Sequence, residues 1–398
     1  MGNPINTKGD GVGYDRNTCK RQIYDENALL SAFFLCRKNT AWKHSVQLFE
    51  SNLALEIATL AKQIEDRSFR FTATRDFVLH ERGKIRYISG ETVRNRVVKK
   101  AICQEVLLPA ILPHLIYDNG ASQKGKGVDF TRRRLLAHLR RFYREHGNDG
   151  YILLMDYSKY YDNIQHEKLL EIFRRFVSDE TTLWLIEQSL QQSAVDVSYM
   201  TDTDYANCLD ILFDNLEHQK TDKSLLTGEK MMRKHVNLGD EISQIAGLCY
   251  PMDIDNFIKI VRGCKYYARY MDDSYLIAKD KNYLISLRNE IENKAHELGL
   301  TLNPKKTRIV KLSSSWRFMQ VQYSLTGTGR VIQKIRPERL TRMRRKLKKL
   351  AGKLPERDFD NLYRSWFKGH YKLMSKKQRQ NLDELYKRIK EEKYGLHD

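Results

Sequence analysis

The chain is constrained most by the tetrapeptide Tyr270-Met271-Asp272-Asp273, which stands between two apolar, aromatic-rich stretches. The flanking residues 264–278 predict two buried strands joined by an acidic turn at the tip of a β-hairpin. Two adjacent carboxylates repel each other there, so they are costly to keep ionised unless a cation lies between them. Hard divalent ions that take oxygen ligands, above all Mg²⁺, suit this position. The alternative is an ordinary polar hairpin turn, in which Asp-Asp pairs are common.

A second acidic segment lies upstream, in residues 151–164. An apolar run of strand length ends at Asp156, and after a short polar turn His166 begins a predicted helix. Such a strand delivers one carboxylate at its C-terminal end, where it can share an ion with Asp272 and Asp273. Two metal ions held by three carboxylates would clamp an attacking 3′-hydroxyl and a triphosphate for in-line displacement.

These two segments resemble motifs A and C of the reverse transcriptases, whose palm carries a strand-borne aspartate and a Tyr-x-Asp-Asp hairpin. The resemblance covers about residues 45–370. It implies an RNA-directed DNA polymerase that adds deoxynucleoside triphosphates to a DNA or RNA primer on an RNA template. Asp156, Asp272 and Asp273 would hold two Mg²⁺, with Mn²⁺ as an alternative, and the backbone carbonyl of Tyr157 would assist.

The resemblance also implies an α+β fold of the right-hand polymerase type, with fingers, an antiparallel-sheet palm flanked by helices, and a helical thumb. The predicted order is an N-terminal tail and lead-in (1–45), fingers (46–150), palm (151–325) and basic thumb (326–398). Compared with the usual palm, residues 195–235 are an insertion to which the sequence assigns no role. Residues 1–20, rich in Gly, Asn and Lys, predict a terminal tail.

Composition favours a polyanionic partner. The 398 residues include 70 Lys and Arg against 50 Asp and Glu, a formal net charge of +20, and such a surplus is typical of nucleic-acid-binding proteins. The six cysteines show no Cys-x-x-Cys pair, which argues against a zinc site or disulfide framework and predicts buried thiols in a reducing, cytoplasmic compartment. The longest apolar run, residues 106–116, is too short to span a bilayer, and no signal peptide opens the chain, so no membrane is expected as a partner.

Basic residues concentrate in the predicted fingers. Residues 69–74 and 76–80 predict short strands, and a turn at Gly83 leads into a third strand that carries Lys84 and Arg86. A solvated basic face is one interpretation of this region. Reverse transcriptases have a Lys-x-Arg-x-Ile strand here that contacts the incoming triphosphate, so the resemblance favours Lys84 and Arg86 as nucleotide-binding residues.

Two further basic segments are candidates for contact with nucleic acid. The loop at residues 117–127 is rich in glycine and carries Lys124 and Lys126, which suits close backbone approach to a sugar-phosphate chain. It is similar to the template-holding motif of the family. From Val331 onward the chain predicts a helical thumb whose unbalanced positive charge would contact duplex phosphates. Its candidate residues are Arg336, Arg342, Arg345 and Lys349.

The aromatic pair Tyr160-Tyr161 follows Asp156 in motif A. An aromatic ring five residues past the metal-binding aspartate is, in reverse transcriptases, the steric gate that clashes with a 2′-hydroxyl and selects deoxyribonucleotides. The resemblance therefore assigns the gate to Tyr161, as a nucleotide-binding residue. The alternative is that both rings fill the core.

Residues 236–247 predict a glycine turn at Gly239 that enters a helix running to Ile260. Most reverse transcriptases have Pro-Gln-Gly and Ser-Pro here. The pattern in this chain resembles motif B of the diversity-generating retroelement enzymes, which makes its residues nucleotide-binding candidates: Leu238, Gly239, Ser243 and Gln244. In those retroelements a branched apolar residue in place of the usual glutamine accompanies misincorporation opposite template adenine.

Two segments after the hairpin also resemble family motifs. Residues 300–309 are similar to motif D, in which a lysine lies near the pyrophosphate leaving group, so Lys306 is a candidate general acid or charge neutraliser. A solvated loop lysine is the alternative. Gln320 stands where the primer grip of the family has a glycine, which weakens the expectation of close backbone contact with the primer.

The subfamily stays open at this stage. The diversity-generating type is the first choice, and a non-coding RNA and an accessory basic protein are further partners that the resemblance suggests. A defence-associated anti-phage reverse transcriptase is the second choice, favoured by the extra segment before motif B and by the altered primer grip. A nucleic-acid-binding protein that has kept the fold and lost synthesis is the third, and the intact carboxylates argue against it.

Overall fold

The computed structural model describes residues 23–81 and 83–395, so the predicted tail at residues 1–20 lies outside the described part of the chain. The chain divides into two compact units, which are treated separately below. Unit 1 comprises Met1–Pro113, Leu170–Ala194 and Asn237–Ile245, and unit 2 comprises His114–Leu169, Val195–Val236 and Ala246–Asp398. These units do not coincide with the predicted fingers, palm and thumb, whose boundaries stay predictions.

The described residues form helices and short strands. The helices are α1 (Glu26–Arg37), α2 (His44–Ser51), α3 (Leu53–Glu65), α4 (Val93–Ala101), α5 (Leu108–Ile111), α6 (Val128–His146), α7 (His166–Arg174), α8 (Glu180–Gln191), α9 (Asp202–Ala206), α10 (Asn215–His218), α11 (Glu241–Cys249), α12 (Met252–Asn256), α13 (Lys281–Glu297), α14 (Pro337–Leu350), α15 (Glu356–His370) and α16 (Lys376–Tyr394). The strands are β1 (Arg75–Glu81), β2 (Lys84–Gly90), β3 (Tyr151–Asp156), β4 (Val195–Asp196), β5 (Met231–Met232), β6 (Tyr267–Tyr270), β7 (Asp273–Ala278), β8 (Arg308–Lys311), β9 (Trp316–Phe318), β10 (Val321–Leu325) and β11 (Val331–Ile335).

Unit 1 contains helices α1, α3 and α4, with α1 packed against the other two. In α3 the buried residues Ile57, Leu60 and Ile64 recur at helical spacing, because one face of an amphipathic helix must be removed from water. Strands β1 and β2 form an antiparallel hairpin that closes at the pair Glu81 and Lys84. This confirms the turn and the basic strand predicted from the sequence.

Residues 69–74, predicted as a strand, form none. Their backbone pairs with a side chain instead: Thr72 N donates to Asn95 Oδ1 at 3.1 Å, and Asn95 Nδ2 donates to Thr72 O at 2.8 Å. A side-chain amide carries both a donor and an acceptor, so it can satisfy a backbone unit as a neighbouring strand would. The prediction was wrong because this long-range partner cannot be read from local pattern.

The centre of unit 2 is an antiparallel sheet with the strand order β6-β7-β3-β8. Strand β3 is interior, and its residues 152–155 are all buried, which is why its sequence is a continuous apolar run and not an alternating one. Helices α6 and α13 pack against this sheet. The predicted motif A strand and the predicted β6–β7 hairpin are both confirmed.

A second sheet in unit 2 has the order β11-β10-β9. Residues 331–335, predicted as the start of the helical thumb, form strand β11 paired with β10, since Val331, Ile332 and Ile335 are β-branched and favour a pleated, half-buried surface. The basic helix α14 begins only at Pro337, a residue suited to the first helical position because its missing N–H has no partner there.

Helices α14, α15 and α16 share a core of their own. Its aromatic centre is the stacked pair Tyr363 and Tyr386, whose ring centroids are 3.8 Å apart, beside the fully buried Phe359. The hydroxyl of Tyr386 bonds to Asp360, and that of Tyr363 donates to Asp383 at 3.0 Å, so both rings keep a hydrogen-bond partner. The sequence also predicts two helices after the basic one, at about 358–368 and 376–392, and α15 and α16 confirm them.

Residues 195–236, which are the predicted insertion at 195–235 together with Val236, the first residue of motif B, form a small subassembly of unit 2 that is called the insert. A two-stranded sheet, β4 and β5, and the short helices α9 and α10 enclose a few buried apolar side chains: Val195, Val197, Cys208, Phe213 and Met232. The sequence favours a strand over residues 195–200, but only the two residues of β4 form one. The carboxylate of Asp196 accepts from Ser198 N at 3.0 Å and turns the chain there.

The helix predicted from Gly239 to Ile260 is interrupted. Helix α11 ends at Cys249 and α12 begins at Met252. The break falls at Pro251, which has no N–H to donate to the preceding turn and whose ring clashes with it. Residues 257–261 continue as a π-helix.

Within the described ranges, none of the helices combines the length and the apolar character that crossing a membrane requires. The cysteines of that part of the chain are buried thiols, as predicted: Cys36, Cys103, Cys208, Cys249 and Cys264. Cys19 lies outside it.

Candidate active site

The acidic hairpin of unit 2 turns sharply at Met271 and Asp272. Tyr270 and Asp273 are paired across the two strands, so only two residues connect them. Met271 has φ of 54°, the left-handed region that tight two-residue hairpins require and that side chains other than glycine adopt at a cost. The backbone conformation of Met271 therefore has to be stabilised by contacts with the surrounding residues.

Asp156, the last residue of β3, is the cross-strand partner of Asp273, the first residue of β7. Asp156 is only 4% exposed. Burial, together with the charges of Asp272 and Asp156, raises the pKa of Asp273 to about 7. The raised pKa means that negative charge at this point is destabilised unless a cation is close. The register of two neighbouring strands thus brings together the carboxylates that the sequence singled out.

Lys306 supplies a cation to this cluster. Its Nζ donates to both carboxylate oxygens of Asp156, at 2.8 and 2.7 Å. Partial burial opposes the charged form, but the hydrogen bond and charge of Asp156, with Asp272 and Asp273 near it, raise the pKa of Lys306. The loop before β8 is itself tied to motif A, since Asn303 N donates to Asp156 O at 2.7 Å. Two contacts therefore hold Lys306 near the carboxylates: the backbone bond of its loop to Asp156 and the ion pair of its own side chain.

A buried arginine supports the hairpin from behind. Arg269, on β6, is 0% exposed and faces the buried carboxylate of Asp255, with Nε 2.9 Å from both oxygens. Its Nη1 donates to Met271 O at 3.0 Å and to Gly247 O at 3.2 Å, and its Nη2 to Leu248 O at 2.7 Å. The guanidinium thus joins the hairpin tip to the end of α11. Sequence reasoning passed over Arg269, although an arginine inside an apolar strand is a signal of a buried ion pair.

A family model described as reverse transcriptase (RNA-dependent DNA polymerase) matches residues 74–323, more than half of the chain. The chain belongs to the reverse transcriptase family. It has the right-hand polymerase fold that the sequence predicts, and the family is described as one of RNA-dependent DNA polymerases. Members of this family copy an RNA template from nucleotide substrates and depend on divalent metal ions.

Other comparisons add little to the family match. Comparison with curated proteins finds no match. Among solved structures, apo telomerase from Candida tropicalis is 13% identical, with a TM-score of 0.45, and the alignment covers 66% of this chain and 48% of the telomerase chain. At that TM-score the likeness carries no argument, and the assignment rests on the family model.

The carboxylates suit the divalent ions that reverse transcriptases use. Among the described residues, no group of three or more His, Cys, Asp or Glu side chains is arranged as a metal cage. The donor set still fits, because the oxygens of Asp156 already hold a cation, the ammonium of Lys306, and carboxylate oxygens are the ligands that Mg²⁺ prefers. Lys306 here stands in for the positive charge that the cluster requires.

The two tyrosines predicted as gate or core differ in their surroundings. Tyr160 is buried, its hydroxyl donates to Gly247 O at 2.8 Å, and its ring stacks on that of Tyr157 at 5.5 Å. The Tyr161 side chain is half-buried, lies against Gly247 and has its hydroxyl 3.6 Å from Met271 Sδ. Tyr160 therefore fills the core, whereas Tyr161 borders the acidic hairpin.

In unit 1, Lys84 and Arg86 lie on strand β2, where Lys84 is exposed and Arg86 Nε is 3.4 Å from Glu81. The backbone of Leu238 accepts from Ser89 N of the same strand at 3.4 Å. Gly239 has φ of 106°, and a side chain there would meet Ile88 at 3.2 Å, so this turn requires glycine.

Helix α11 carries the other two motif B candidates, of which Ser243 is buried and Gln244 exposed. A feature that the sequence did not reveal holds the turn before this helix. Buried Lys99 donates to Glu91 at 2.7 Å and to Asp240 at 2.6 Å. Asp240 also accepts from Ile242 N at 2.8 Å, which anchors the start of the helix.

The two lysines of the glycine-rich loop in unit 2 differ in their hydrogen bonding and exposure. Lys126 Nζ donates to Tyr117 O at 2.9 Å and to Asn119 O at 3.1 Å, so two of its three N–H groups serve the loop itself. Lys124 is exposed. Asp118 accepts from Lys259 at 2.8 Å and from Arg134, an ion-pair group that fixes the base of the loop. Of the two lysines, Lys124 is the one whose ammonium faces solvent.

The turn between β9 and β10 also departs from the family pattern. Met319 and Gln320 have φ of 46° and 66°, so the chain forms the tight turn without glycine. Gln320 Oε1 accepts from Arg336 at 3.2 Å, and Met319 O accepts from Arg132 at 2.8 Å. In this turn the Gln320 side chain and the Met319 carbonyl are both hydrogen-bonded to arginines of the protein itself.

Helix α14 separates its basic and apolar residues. Leu340, Met343 and Leu347 are buried on one face. The predicted nucleic-acid residues of the helix are all exposed: Arg342, Arg345 and Lys349. Arg336 lies before the helix and is 3.4 Å from Glu338, so its charge is partly used inside the protein.

Proposed function

We propose that this RNA-directed DNA polymerase extends a primer 3′-hydroxyl by a two-Mg²⁺ mechanism at Asp156, Asp272 and Asp273, with the Tyr157 carbonyl as a further ligand. The observation that carries the proposal is the cross-strand pairing of Asp156 with Asp273, with Lys306 bound to the Asp156 carboxylate. When bound, such ions activate the hydroxyl and neutralise the charge of the leaving group.

Lys306 acts on the leaving-group side in this proposal. Its ammonium is within hydrogen-bond distance of Asp156, and its raised pKa keeps it protonated at neutral pH. A protonated amine beside the metal-binding carboxylates can neutralise a phosphate oxygen held there or give it a proton. The roles of Lys84 and Arg86 as triphosphate ligands are proposed on the family resemblance and on their place on strand β2.

Tyr161 serves as the sugar gate in this proposal. It is the ring of the tyrosine pair that is not committed to the core, and it borders Met271 of the catalytic hairpin. A ring at this point blocks the space of a 2′-hydroxyl. Contact with template and primer is proposed for exposed basic residues of unit 2, with Lys126 and Arg336 as partial contributors: Lys124, Arg342, Arg345 and Lys349.

The subtype that we propose is the diversity-generating one, error-prone at template adenine. Support comes from the motif B turn, where Leu238 is followed by Gly239, a residue that the turn requires. A leucine offers only dispersion contact to a forming base pair, whereas a glutamine offers a hydrogen bond. Mg²⁺ as the working ion, a cytoplasmic location, a non-coding RNA and an accessory basic protein belong to the same proposal.

A defence-associated enzyme is the second candidate. Two observations favour it, namely the insert with its own small core and the Met319-Gln320 turn in place of a glycine-based primer grip. A third candidate, a binding protein without synthesis, is opposed by the paired Asp156 and Asp273 with Lys306 on them.

The polymerase proposal is tested with Asp272→Asn. Because this change removes a metal ligand and touches no basic residue, Mg²⁺-dependent incorporation on a primed RNA should fall by orders of magnitude while template-primer affinity stays nearly the same. Extension and equilibrium binding are measured on the same preparations. Synthesis at the wild-type rate by the variant would remove the proposed metal site.

The subtype is tested with Leu238→Gln. A hydrogen bond to the nascent pair is worth about 0.5–1.5 kcal/mol, so misincorporation should fall by roughly two- to tenfold, most strongly opposite template adenine. Leu238→Met, which keeps an apolar side chain of similar volume, is the matched control and should keep the wild-type error rate. Sequencing of products copied from one defined RNA gives the rates. Equal rates for Leu238→Gln and wild type would contradict the diversity-generating assignment.

A further inference from the structure

The turn that carries Tyr161 is bonded to the insert along its whole length. This turn, residues 159–165, follows the catalytic strand β3 and includes the 3₁₀ turn Tyr161–Asn163. The insert, residues 195–236, supplies a partner to nearly every residue of it. Both segments belong to unit 2.

Asn163 makes the most buried of these contacts. Its side chain is 0% exposed, its Nδ2 donates to Phe213 O at 3.0 Å, and its Oδ1 accepts from Phe213 N at 2.9 Å. The same Nδ2 donates to Lys159 O at 2.9 Å, within the turn. A single amide group thus closes the turn and pairs it with the insert. An amide held at three points leaves this part of the turn little freedom.

The end of the insert pairs with the turn through its backbone. Val236 N donates to Tyr161 O at 3.0 Å, and His235 N donates to Ile164 O at 3.1 Å. The His235 ring is 3.1 Å from Asp162, between Nδ1 and Oδ1. His235 has φ of 84°, a conformation costly for a residue with a side chain. Such a conformation persists only where its surroundings determine it, as these three bonds do.

Buried polar side chains stiffen the insert where it meets the turn. Lys234 is 1% exposed, and its Nζ donates to Ile211 O at 2.6 Å and Leu209 O at 3.0 Å. Gln165 Nε2, from the turn, donates to the same Leu209 carbonyl at 2.8 Å. His166 bonds to His235 O at 2.7 Å. The contact surface is therefore a hydrogen-bonded network more than an apolar packing.

We infer that the insert is the positioning element of the sugar gate: it fixes the backbone of Tyr161 and so sets the discrimination between deoxyribonucleotides and ribonucleotides. The inference rests on the proposed role of Tyr161. The insert holds the Tyr161 carbonyl and both following residues, while the ring lies against Gly247 and Met271. Displacement of the backbone would move the ring relative to the catalytic hairpin. Asn163 and Asp162 act through Tyr161 and are positioning residues, not catalytic ones.

The test uses Asn163→Ala in the full-length protein, with Asn207→Ala as the matched control. Asn207 is an exposed asparagine of the insert whose Nδ2 donates to Thr203 O at 3.0 Å, far from the turn in its bonding. The measurement is the ratio of kcat/KM for a deoxynucleoside triphosphate to that for the ribonucleoside triphosphate with the same base. Loss of the amide bonds should lower this ratio by about three- to tenfold in Asn163→Ala, and the control should keep it.

A double variant separates positioning from general damage. In a Tyr161→Ala background, Asn163→Ala should lower the ratio no further, because the ring through which it acts is gone. A merely structural role of the insert would lower kcat/KM for both sugars equally and leave the ratio unchanged, and that result would overturn the inference. If Tyr161→Ala alone leaves the ratio unchanged, the gate itself is wrong and the inference falls with it, a result distinct from failure of the insert alone.

A second pair of variants covers the case in which Asn163→Ala does not fold. Asp162→Ala removes the partner of His235, whereas Asp162→Asn keeps a group that can accept or donate at the same position. Asp162→Ala should lower the ratio, and Asp162→Asn should restore it to nearly the wild-type value. Equal ratios for both variants and wild type would overturn the inference.

Discussion

Replacement of Arg269 by lysine should loosen the acidic hairpin, while the buried positive charge at position 269 is kept. The guanidinium bonds to five acceptor atoms, the two oxygens of Asp255 and the carbonyls of Gly247, Leu248 and Met271. A lysine ammonium has three N–H groups, so it leaves at least two of these acceptors without a partner. Since the arginine is fully buried, no water is at hand to replace the lost bonds.

The expected loss of stability follows from that count. Each net hydrogen bond contributes about 0.5–1.5 kcal/mol, so two lost bonds reduce the free energy of unfolding by about 1–3 kcal/mol. At about 2–4 °C per kcal/mol, the midpoint of thermal unfolding should fall by about 2–12 °C. Asp255 keeps the bond from the Tyr267 hydroxyl at 2.6 Å and faces the lysine charge, so the penalty of an unpaired buried carboxylate does not arise.

We also expect a lower rate of primer extension. One of the lost partners is the carbonyl of Met271, whose left-handed backbone sets the direction of Asp272 and Asp273. Small displacements of catalytic groups are costly, and a shift of about 1 Å can lower a rate about a hundredfold. The kcat for primer extension should fall by at least about tenfold, with template-primer affinity unchanged.

Arg262→Lys is the matched control. Arg262 is an exposed arginine that bonds to Glu290 at 2.8 Å, and such surface pairs contribute about 0–1 kcal/mol. Calorimetry or circular dichroism gives the unfolding midpoint, and single-turnover extension gives the rate. If Arg269→Lys unfolds and extends primers as Arg262→Lys does, the reasoning about the buried guanidinium is refuted.

Two further predictions concern the sugar gate and the basic helix. Tyr161→Ala should lower discrimination against ribonucleotides by about tenfold or more, since the clash with the 2′-hydroxyl disappears. Tyr160→Phe, which keeps the buried ring and loses only its bond to Gly247, should leave discrimination unchanged, and the opposite pattern in incorporation assays would move the gate to Tyr160. Removing three exposed charges of α14 (Arg342, Arg345 and Lys349) should reduce the slope of log affinity against log salt by about 2.7, at about 0.9 per phosphate contact. Removing three lysines of α16 (Lys376, Lys377 and Lys387) changes the net charge equally and should leave the slope nearly unaltered, so equal slopes for both variants would place the contact elsewhere.

The acidic centre and most of the regular elements around it follow from local sequence pattern. Asp156 at the end of an apolar run and the acidic turn after Tyr270 are local patterns, and strand β3 and the β6–β7 hairpin follow them closely. Local pattern is sufficient here because a buried strand must be apolar and a tight turn must be polar, whatever lies next to it. The amphipathic helices were predictable for the same reason.

Predictions from local pattern were wrong where the hydrogen-bond partner of the backbone lies far away in the sequence. Residues 69–74 have strand-like composition, but Asn95 supplies the hydrogen bonds that a strand partner would have supplied. Residues 331–335 are predicted as part of the basic thumb because many charges follow them, but in the structure they pair with strand β10. Both errors concern pairing, which depends on contacts far apart in sequence.

The partner of each charged side chain at the site depends on contacts that form only in the folded chain. Lys306 is attached to Asp156 across a hundred and fifty positions, and Arg269 is turned inward to Asp255. Lys126, which resembles a phosphate ligand in sequence, serves the carbonyls of its own loop. The sequence shows that a residue is charged, but it does not show whether the side chain faces solvent, a substrate or a buried partner. The fold assigns the direction, since desolvation makes an unpaired charge too costly to leave inside.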